Sequence, residues 1–97
     1  MIDYGNTQER YDMAKVVSKV RQLRMNRSAE LGRPVSIEEV ATATGIARPT
    51  LSRIELNQTE RIDFDTIKKL CAYFGVGVGE VLEFKPEDRM SPALAYA

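Results

Sequence analysis

The fold is decided by residues 37–56, which read IEEVATATGIARPTLSRIEL. Two short segments with helical spacing of apolar residues flank Gly45, and the small Ala41 stands where two crossing helices must approach closely. The apolar residues expected to hold such a pair at a steep angle are Val40, Ile46, Leu51 and Ile54. This pattern predicts a helix-turn-helix, a motif that places its second helix in the major groove of DNA.

The composition is that of one small domain. The chain has 97 residues, of which 43% are hydrophobic and 29% charged, and its formal net charge is zero. Many nucleic-acid binders are basic, so the total charge leaves DNA binding open, although residues 15–33 carry six cations against Glu30 alone. Because the chain shows neither a membrane-span pattern nor a signal-peptide pattern, we expect a cytoplasmic protein without membrane contacts.

Catalytic and metal-binding chemistry has little support in the sequence. Cys71 is the one cysteine and histidine is absent, so neither an internal disulfide nor a metal site is expected. The glycines at 75, 77 and 79 follow a helical pattern, which favours a helix connection over a phosphate-binding loop. Glu38 and Glu39 are interpreted as the charge pair of a helix N-terminus. We therefore expect no enzymatic activity, no cofactor and no metal.

Helical spacing predicts a first amphipathic helix over residues 13–27, after a polar, flexible leader at 1–12. Four later helix starts share the hydrophobic staple, in which an apolar residue before the N-cap packs on another five positions later. The staple pairs are Val35/Val40, Ile46/Leu51, Ile62/Ile67 and Val76/Val81. They predict helices that begin near Ile37, Arg48, Phe64 and Val78.

Cap residues support these helices. Ser36 with Glu39 predicts a capping box, and Asp63 is expected to cap the helix that begins at Phe64. Residues suited to the left-handed conformation at a helix end are Gly45, Asn57 and Gly75. We therefore predict an all-α fold of five helices over residues 13–84, followed by a tail at 85–97 that is mobile or ordered by a partner.

The second helix of the motif carries the candidate DNA contacts. If it spans residues 48–56, Leu51 and Ile54 point inward, and the outward residues are Arg48, Pro49, Ser52, Arg53 and Leu56. Arginine binds guanine O6 and N7 with two hydrogen bonds, and serine or threonine meets bases or phosphates. For Thr50, near the start of the helix, two roles stay open: packing within the protein and contact with the DNA backbone.

Phosphates are expected beside the loop that follows this helix. Its candidate contacts are Asn57, Gln58, Thr59 and Arg61, and backbone N–H groups at helix starts, notably the start of the motif's first helix, add neutral donors. For two isolated arginines, a role as solvated surface charges would be the better interpretation. Within a complete helix-turn-helix, DNA contact is favoured.

Residues 16–84 resemble the Cro/CI (XRE-type) helix-turn-helix family of bacterial and phage transcription regulators. TGIARPTLSRIE at 44–55 is similar to the family's turn and recognition helix, and residues 62–71, 74–76 and 80–82 are similar to its closing helices. The resemblance implies a lambda-repressor-like bundle that binds operator DNA, usually as a homodimer. The positions it assigns to the groove are Arg48, Pro49, Ser52 and Arg53.

The resemblance also implies that Glu55 pairs with an arginine on the first helix, here Arg24, and such an arginine often touches phosphate too. Three features depart from the family pattern. Ile37 replaces a frequent phosphate-binding glutamine, and Ala47 replaces a Ser or Thr cap. The connection at 25–35, which carries Arg27 and Arg33, is several residues longer than usual. It is interpreted as a DNA contact, a helix extension or a dimer contact, without a choice among them.

Together these features predict a sequence-specific, double-stranded DNA-binding transcriptional regulator, with repression as the favoured role. The alternative is an antitoxin or protein-interaction module of the same fold that chiefly binds a partner protein. In that alternative, the acidic C-terminal half or the tail docks the partner.

Overall fold

The computed structural model describes residues 14–86. In chain order these residues form strand β1 (Lys15–Ser18), helices α1 (Val20–Leu31), α2 (Ile37–Thr44), α3 (Arg48–Glu55), α4 (Phe64–Phe74) and α5 (Val78–Val81), and strand β2 (Leu82–Lys85). The expected leader at 1–12 and most of the expected tail at 85–97 lie outside the described residues. Residues 18–83 form one compact unit, and residues 14–17 and 84–86 belong to a second.

Helices α2 to α5 begin at the four residues predicted from the staples. Ser36 Oγ accepts a hydrogen bond from the Glu39 N–H at 3.1 Å, and Asp63 Oδ1 accepts one from the Thr66 N–H at 2.8 Å. Both predicted caps are therefore present. The second hydrogen bond of the predicted capping box, from the Ser36 N–H to the Glu39 carboxylate, is replaced by an ion pair of Glu39 with Arg33.

The helix ends are also as predicted. Gly45, Asn57 and Gly75 have φ values of 77°, 58° and 67°. Glycine adopts these φ values without strain because it has no Cβ, and asparagine tolerates them because its short polar side chain can hydrogen-bond locally.

The first helix differs from the prediction of 13–27. Residues Lys15–Ser18 are a strand, and α1 begins only at Val20. The apolar spacing fits a helix locally, but β-branched residues such as Val16 and Val17 suit a strand when a partner strand is present. That partner is β2, which pairs with β1 in a two-stranded sheet.

The all-α prediction is therefore wrong with respect to this sheet. The predicted helix-turn-helix and the helices around it are present. Strand β2 continues to Lys85, one residue past the boundary expected at residue 84. Within residues 14–86, no helix combines the length and the apolar character needed to cross a membrane.

The long connection after the first helix is in large part a helix extension. Helix α1 continues to Leu31 and ends at Gly32, whose φ is 67°. Ser28 Oγ then accepts a hydrogen bond from the Val35 N–H at 2.9 Å, which fixes the chain as it turns toward α2.

Apolar side chains from all five helices meet in one core. Its buried members are Val20, Val35, Val40, Ile46, Leu51, Ile54, Ile67, Leu70 and Val81. Helix α3 contributes Leu51 and Ile54, so its inner side is fixed by burial and its outer side is left to solvent.

Candidate nucleic-acid interface

The turn before α3 is held by side-chain hydrogen bonds. Thr44 Oγ1 donates to the Val40 carbonyl at 2.7 Å and accepts from the Ile46 N–H at 3.2 Å. Gly45 takes the left-handed conformation between them, and Ile46 is buried in the core. Ala41 packs against the same core, as expected for the small residue of the motif. The direction in which α3 leaves the turn is thus set locally.

The outer side of α3 presents the predicted residues to solvent. The exposed members are Arg48, Pro49, Thr50, Arg53 and Leu56, and Ser52 is half-buried. Leu51 and Ile54 are buried, as predicted. The Arg53 side chain is exposed, and no hydrogen bond or ion pair of its guanidinium is found within residues 14–86.

Helix α3 starts without a side-chain cap. Ala47 occupies the N-cap position in extended conformation and makes no cap hydrogen bond. Pro49 stands in the first turn, where its missing N–H removes no bond within the helix. The departure noted at Ala47 therefore leaves the first backbone N–H groups of α3 without a hydroxyl acceptor.

Two of the four predicted loop contacts use polar groups inside the protein. Asn57 Oδ1 accepts from the Ser18 N–H at 2.7 Å, and Thr59 Oγ1 donates to the Arg61 carbonyl at 2.7 Å. The side chains of Gln58 and Arg61 are exposed. Asn57 and Thr59 are exposed as well, but within residues 14–86 Gln58 and Arg61 are the two whose side chains make no hydrogen bond or ion pair.

Arg24 and Glu55 form the ion pair that the family resemblance implied. Arg24 Nε and Nη2 donate to the Glu55 carboxylate at 2.7 and 2.9 Å, and Nη1 donates to the Val35 carbonyl at 2.8 Å. The hydrogen bond to Glu55 raises the pKa of Arg24 above its usual value. All three guanidinium nitrogens thus have protein partners, and a phosphate contact of Arg24 stays a prediction.

Arg27 packs on α4. Its guanidinium carbon is 4.8 Å from the centre of the Tyr73 ring, and Nη1 donates to the Tyr73 carbonyl at 3.0 Å. This contact joins α1 to the C-terminal end of α4, where a cation also interacts favourably with the helix dipole. The structure therefore does not bring Arg27 together with the exposed residues of α3.

Sequence reasoning missed an ion pair at the leading end of α3. Arg48 Nε lies 2.6 Å from Glu38 Oε1, so the candidate base-reading arginine contacts the acid at the start of α2. A hydrogen bond from its own backbone N–H, followed by the contact with Arg48, lowers the pKa of Glu38. Ten positions separate the two residues in sequence, and no local pattern signals the contact.

The comparison with known families agrees with this geometry. A family model described as the Cro/C1-type HTH DNA-binding domain matches residues 32–87, which is more than half of the chain. The chain belongs to this family. The match includes helices α2 to α5 and strand β2, whereas β1 and α1 precede it. No curated protein matches the chain.

Membership of the Cro/C1-type family identifies a DNA-binding regulator. The matched segment contains the entire helix-turn-helix, including every exposed residue of α3. Helix α1 lies outside the match but is joined to it by the pair of Arg24 with Glu55. The domain that presents α3 thus extends beyond the matched residues.

Proposed function

We propose that this protein is a sequence-specific transcriptional repressor that reads the major groove of operator DNA with α3. The observation that carries the proposal is the exposed outer side of α3 in a Cro/C1-type domain, with Arg53 open to a ligand among the described residues. In such motifs the second helix enters the major groove, and its side chains meet base edges.

The spacing of the two arginines fits base reading. Arg48 and Arg53 are five residues apart, which corresponds to about 7.5 Å along a helix axis. If α3 lies along the groove, this separation places them about two base-pair steps apart. Each can then bind guanine O6 and N7, the most frequent specific contact of arginine.

Replacement of Arg53 tests base reading against phosphate binding. After selection of a preferred site from random DNA, Arg53→Ala is expected to weaken binding to that site by about 1–3 kcal/mol and to relax the preference at one base position. Fluorescence anisotropy with the selected duplex and its single-base variants measures both effects.

Arg61→Ala is the matched control, because it removes the same charge from the loop after α3. A phosphate contact carries no sequence information, so this variant should weaken binding to all duplexes by one factor and reduce the salt dependence. Equal losses on selected and random DNA for Arg53→Ala would assign Arg53 to phosphate. Flat affinity of the unmodified protein across all sequences would exclude specific regulation.

We further propose that the protein binds as a homodimer to half-sites about one helical turn apart. Phe64, at the start of α4, has 92% of its surface exposed, and Leu56 at the end of α3 has 58% exposed. Large apolar side chains that remain exposed on one copy are suited to contact with another protein.

Sedimentation of the free protein and of its complex with a two-half-site duplex measures the stoichiometry. A single copy per duplex at saturation would contradict the dimer. The exposed apolar residues also suit the alternative, an antitoxin-like module that chiefly binds another protein. That alternative predicts that a partner protein, rather than a particular DNA sequence, binds most tightly.

A further inference from the structure

Glu38 and Arg48 connect the first turns of α2 and α3. Arg48 Nε and Glu38 Oε1 are 2.6 Å apart, and the two side chains have 58% and 61% of their surfaces exposed. Helices α2 and α3 pack directly on each other, so the contact crosses the helix-turn-helix at its solvent side.

The pair has little to contribute to folding. Ion pairs exposed to this degree add almost nothing to stability, because water screens them and two long side chains must be ordered. Its effect is on the position of the Arg48 guanidinium, which otherwise samples many rotamers. A side chain already ordered in the free protein loses less freedom when it binds.

The geometry leaves the binding end of the guanidinium open. Glu38 contacts Arg48 at Nε, whereas four of the five N–H donors belong to Nη1 and Nη2. Within residues 14–86, no other partner of Arg48 is found. The two terminal nitrogens can therefore bind guanine O6 and N7 while the carboxylate keeps its place at Nε.

The negative charge of Glu38 also lowers the overall affinity for DNA, in contrast to the favourable ordering of Arg48. A carboxylate beside the reading helix repels DNA phosphates, whatever their sequence. Glu38 would thus lower affinity for every duplex while it favours the one in which Arg48 meets guanine. Positioning and repulsion have different signatures, which makes them separable by experiment.

We infer that Glu38 is a positioning residue that orients Arg48 toward a guanine and so raises the discrimination between operator and other DNA. The inference rests on the proposed function, in which α3 reads base pairs. It assigns to an acidic residue of α2 a part of the specificity of α3.

Glu38→Gln keeps the shape of the side chain and removes its charge. Anisotropy titrations with the selected duplex, with each single-base variant and with random duplex should show tighter binding to random DNA. At one guanine, discrimination should fall at least about threefold, a part of the roughly 5- to 160-fold that a bidentate arginine–guanine contact provides. In an Arg48→Ala background the same substitution should leave discrimination unchanged, as a double-mutant cycle requires.

Glu39→Gln is the matched control, because Glu39 is the neighbouring acid on α2 and pairs with Arg33 instead. It should strengthen binding to all duplexes without altering the base preference. If Glu38→Gln behaves in the same way, or sharpens the guanine preference, the positioning role is wrong while base reading stands. If the unmodified protein prefers no sequence, the proposed function and the inference both fail.

Discussion

At the scale of single residues, the pair of Arg24 and Glu55 explains how α3 is tied to α1. The Glu55 side chain has only 5% of its surface exposed, and the Arg24 side chain has 20%. A carboxylate in such a place needs a partner, since an unpaired buried charge is costly. Here it receives two hydrogen bonds from one guanidinium, which also satisfies the Val35 carbonyl.

Removal of one partner should therefore harm the fold more than removal of both. Glu55→Leu leaves Arg24 without its counter-charge and is expected to lower the free energy of unfolding by about 3 kcal/mol, the lower end for buried pairs because solvent reaches the arginine. The double variant Arg24→Met with Glu55→Leu should recover a part of this loss. Urea denaturation followed by circular dichroism measures both, and additive losses would argue against coupling of the two residues.

At the scale of elements, α3 depends on its neighbours more than on its own cap. Its buried side chains anchor it in the core, while Ala47 offers no acceptor to its first turn. The Thr50 N–H at the third helical position is the donor that a hydroxyl at position 47 would meet, because Pro49 has no N–H.

Ala47→Ser should accordingly stabilise the protein by about 0.5–2 kcal/mol, since the extended backbone at position 47 already suits a serine cap. Thermal denaturation provides the measurement. Ala43→Ser, on an exposed position inside α2, makes the same chemical change without creating a cap and should not stabilise. A serine at 47 that left the melting temperature unchanged would mean that water already satisfies this turn equally well.

Local chemistry explains which elements could be predicted from the sequence. The starts of α2 to α5 follow from caps and staples that lie within six residues of one another, and the helix ends follow from residues that accept positive φ. Strand β1 could not be predicted in this way, because its partner β2 comes near the end of the described chain and local spacing also fits a helix. The contact of Glu38 with Arg48 was missed for the same reason: it depends on the angle between two helices.

At the scale of the whole molecule, the neutral chain uses many of its described cations in internal contacts. Three of the six cations in residues 15–33, namely Arg24, Arg27 and Arg33, are engaged with Glu55, Tyr73 and Glu39. Half of the positive charges in this segment thus support the fold. The exposed arginines next to the motif are Arg48, Arg53 and Arg61, and we expect the salt dependence of DNA binding to be modest.

The free energy of unfolding should decrease at acidic pH and change little near neutral pH. The pKa values of four described carboxylates are lowered: Glu38 by its own backbone N–H, Glu39 by Arg33, Asp63 by Thr66 and Asp65 by Lys69. A carboxylate whose pKa is lower in the folded protein than in the unfolded chain stabilises the folded state at pH values above its unfolded pKa. The unfolded pKa is 3.8 for Asp and 4.5 for Glu. This contribution is lost as the pH falls through the lower, folded values.

The melting temperature is therefore expected to be nearly constant from about pH 6 to 8 and to drop below about pH 4.5. Asp63→Asn keeps a cap acceptor but cannot titrate, so its curve should fall less steeply in acid. A melting temperature that rose on acidification would contradict these shifts.

The uncapped first turn of α3 contains backbone N–H groups without a partner among the described residues. Leu51 N–H bonds the Ala47 carbonyl at 3.0 Å, whereas no partner of the Arg48 and Thr50 N–H groups is found within residues 14–86. Amides in that condition open locally with ease, and a phosphate oxygen can replace the missing acceptor. In the proposed complex this turn is the end of α3 that enters the groove first, so its N–H groups are available to DNA. We therefore expect the leading turn of α3 to adjust more easily than its buried side to grooves of slightly different width.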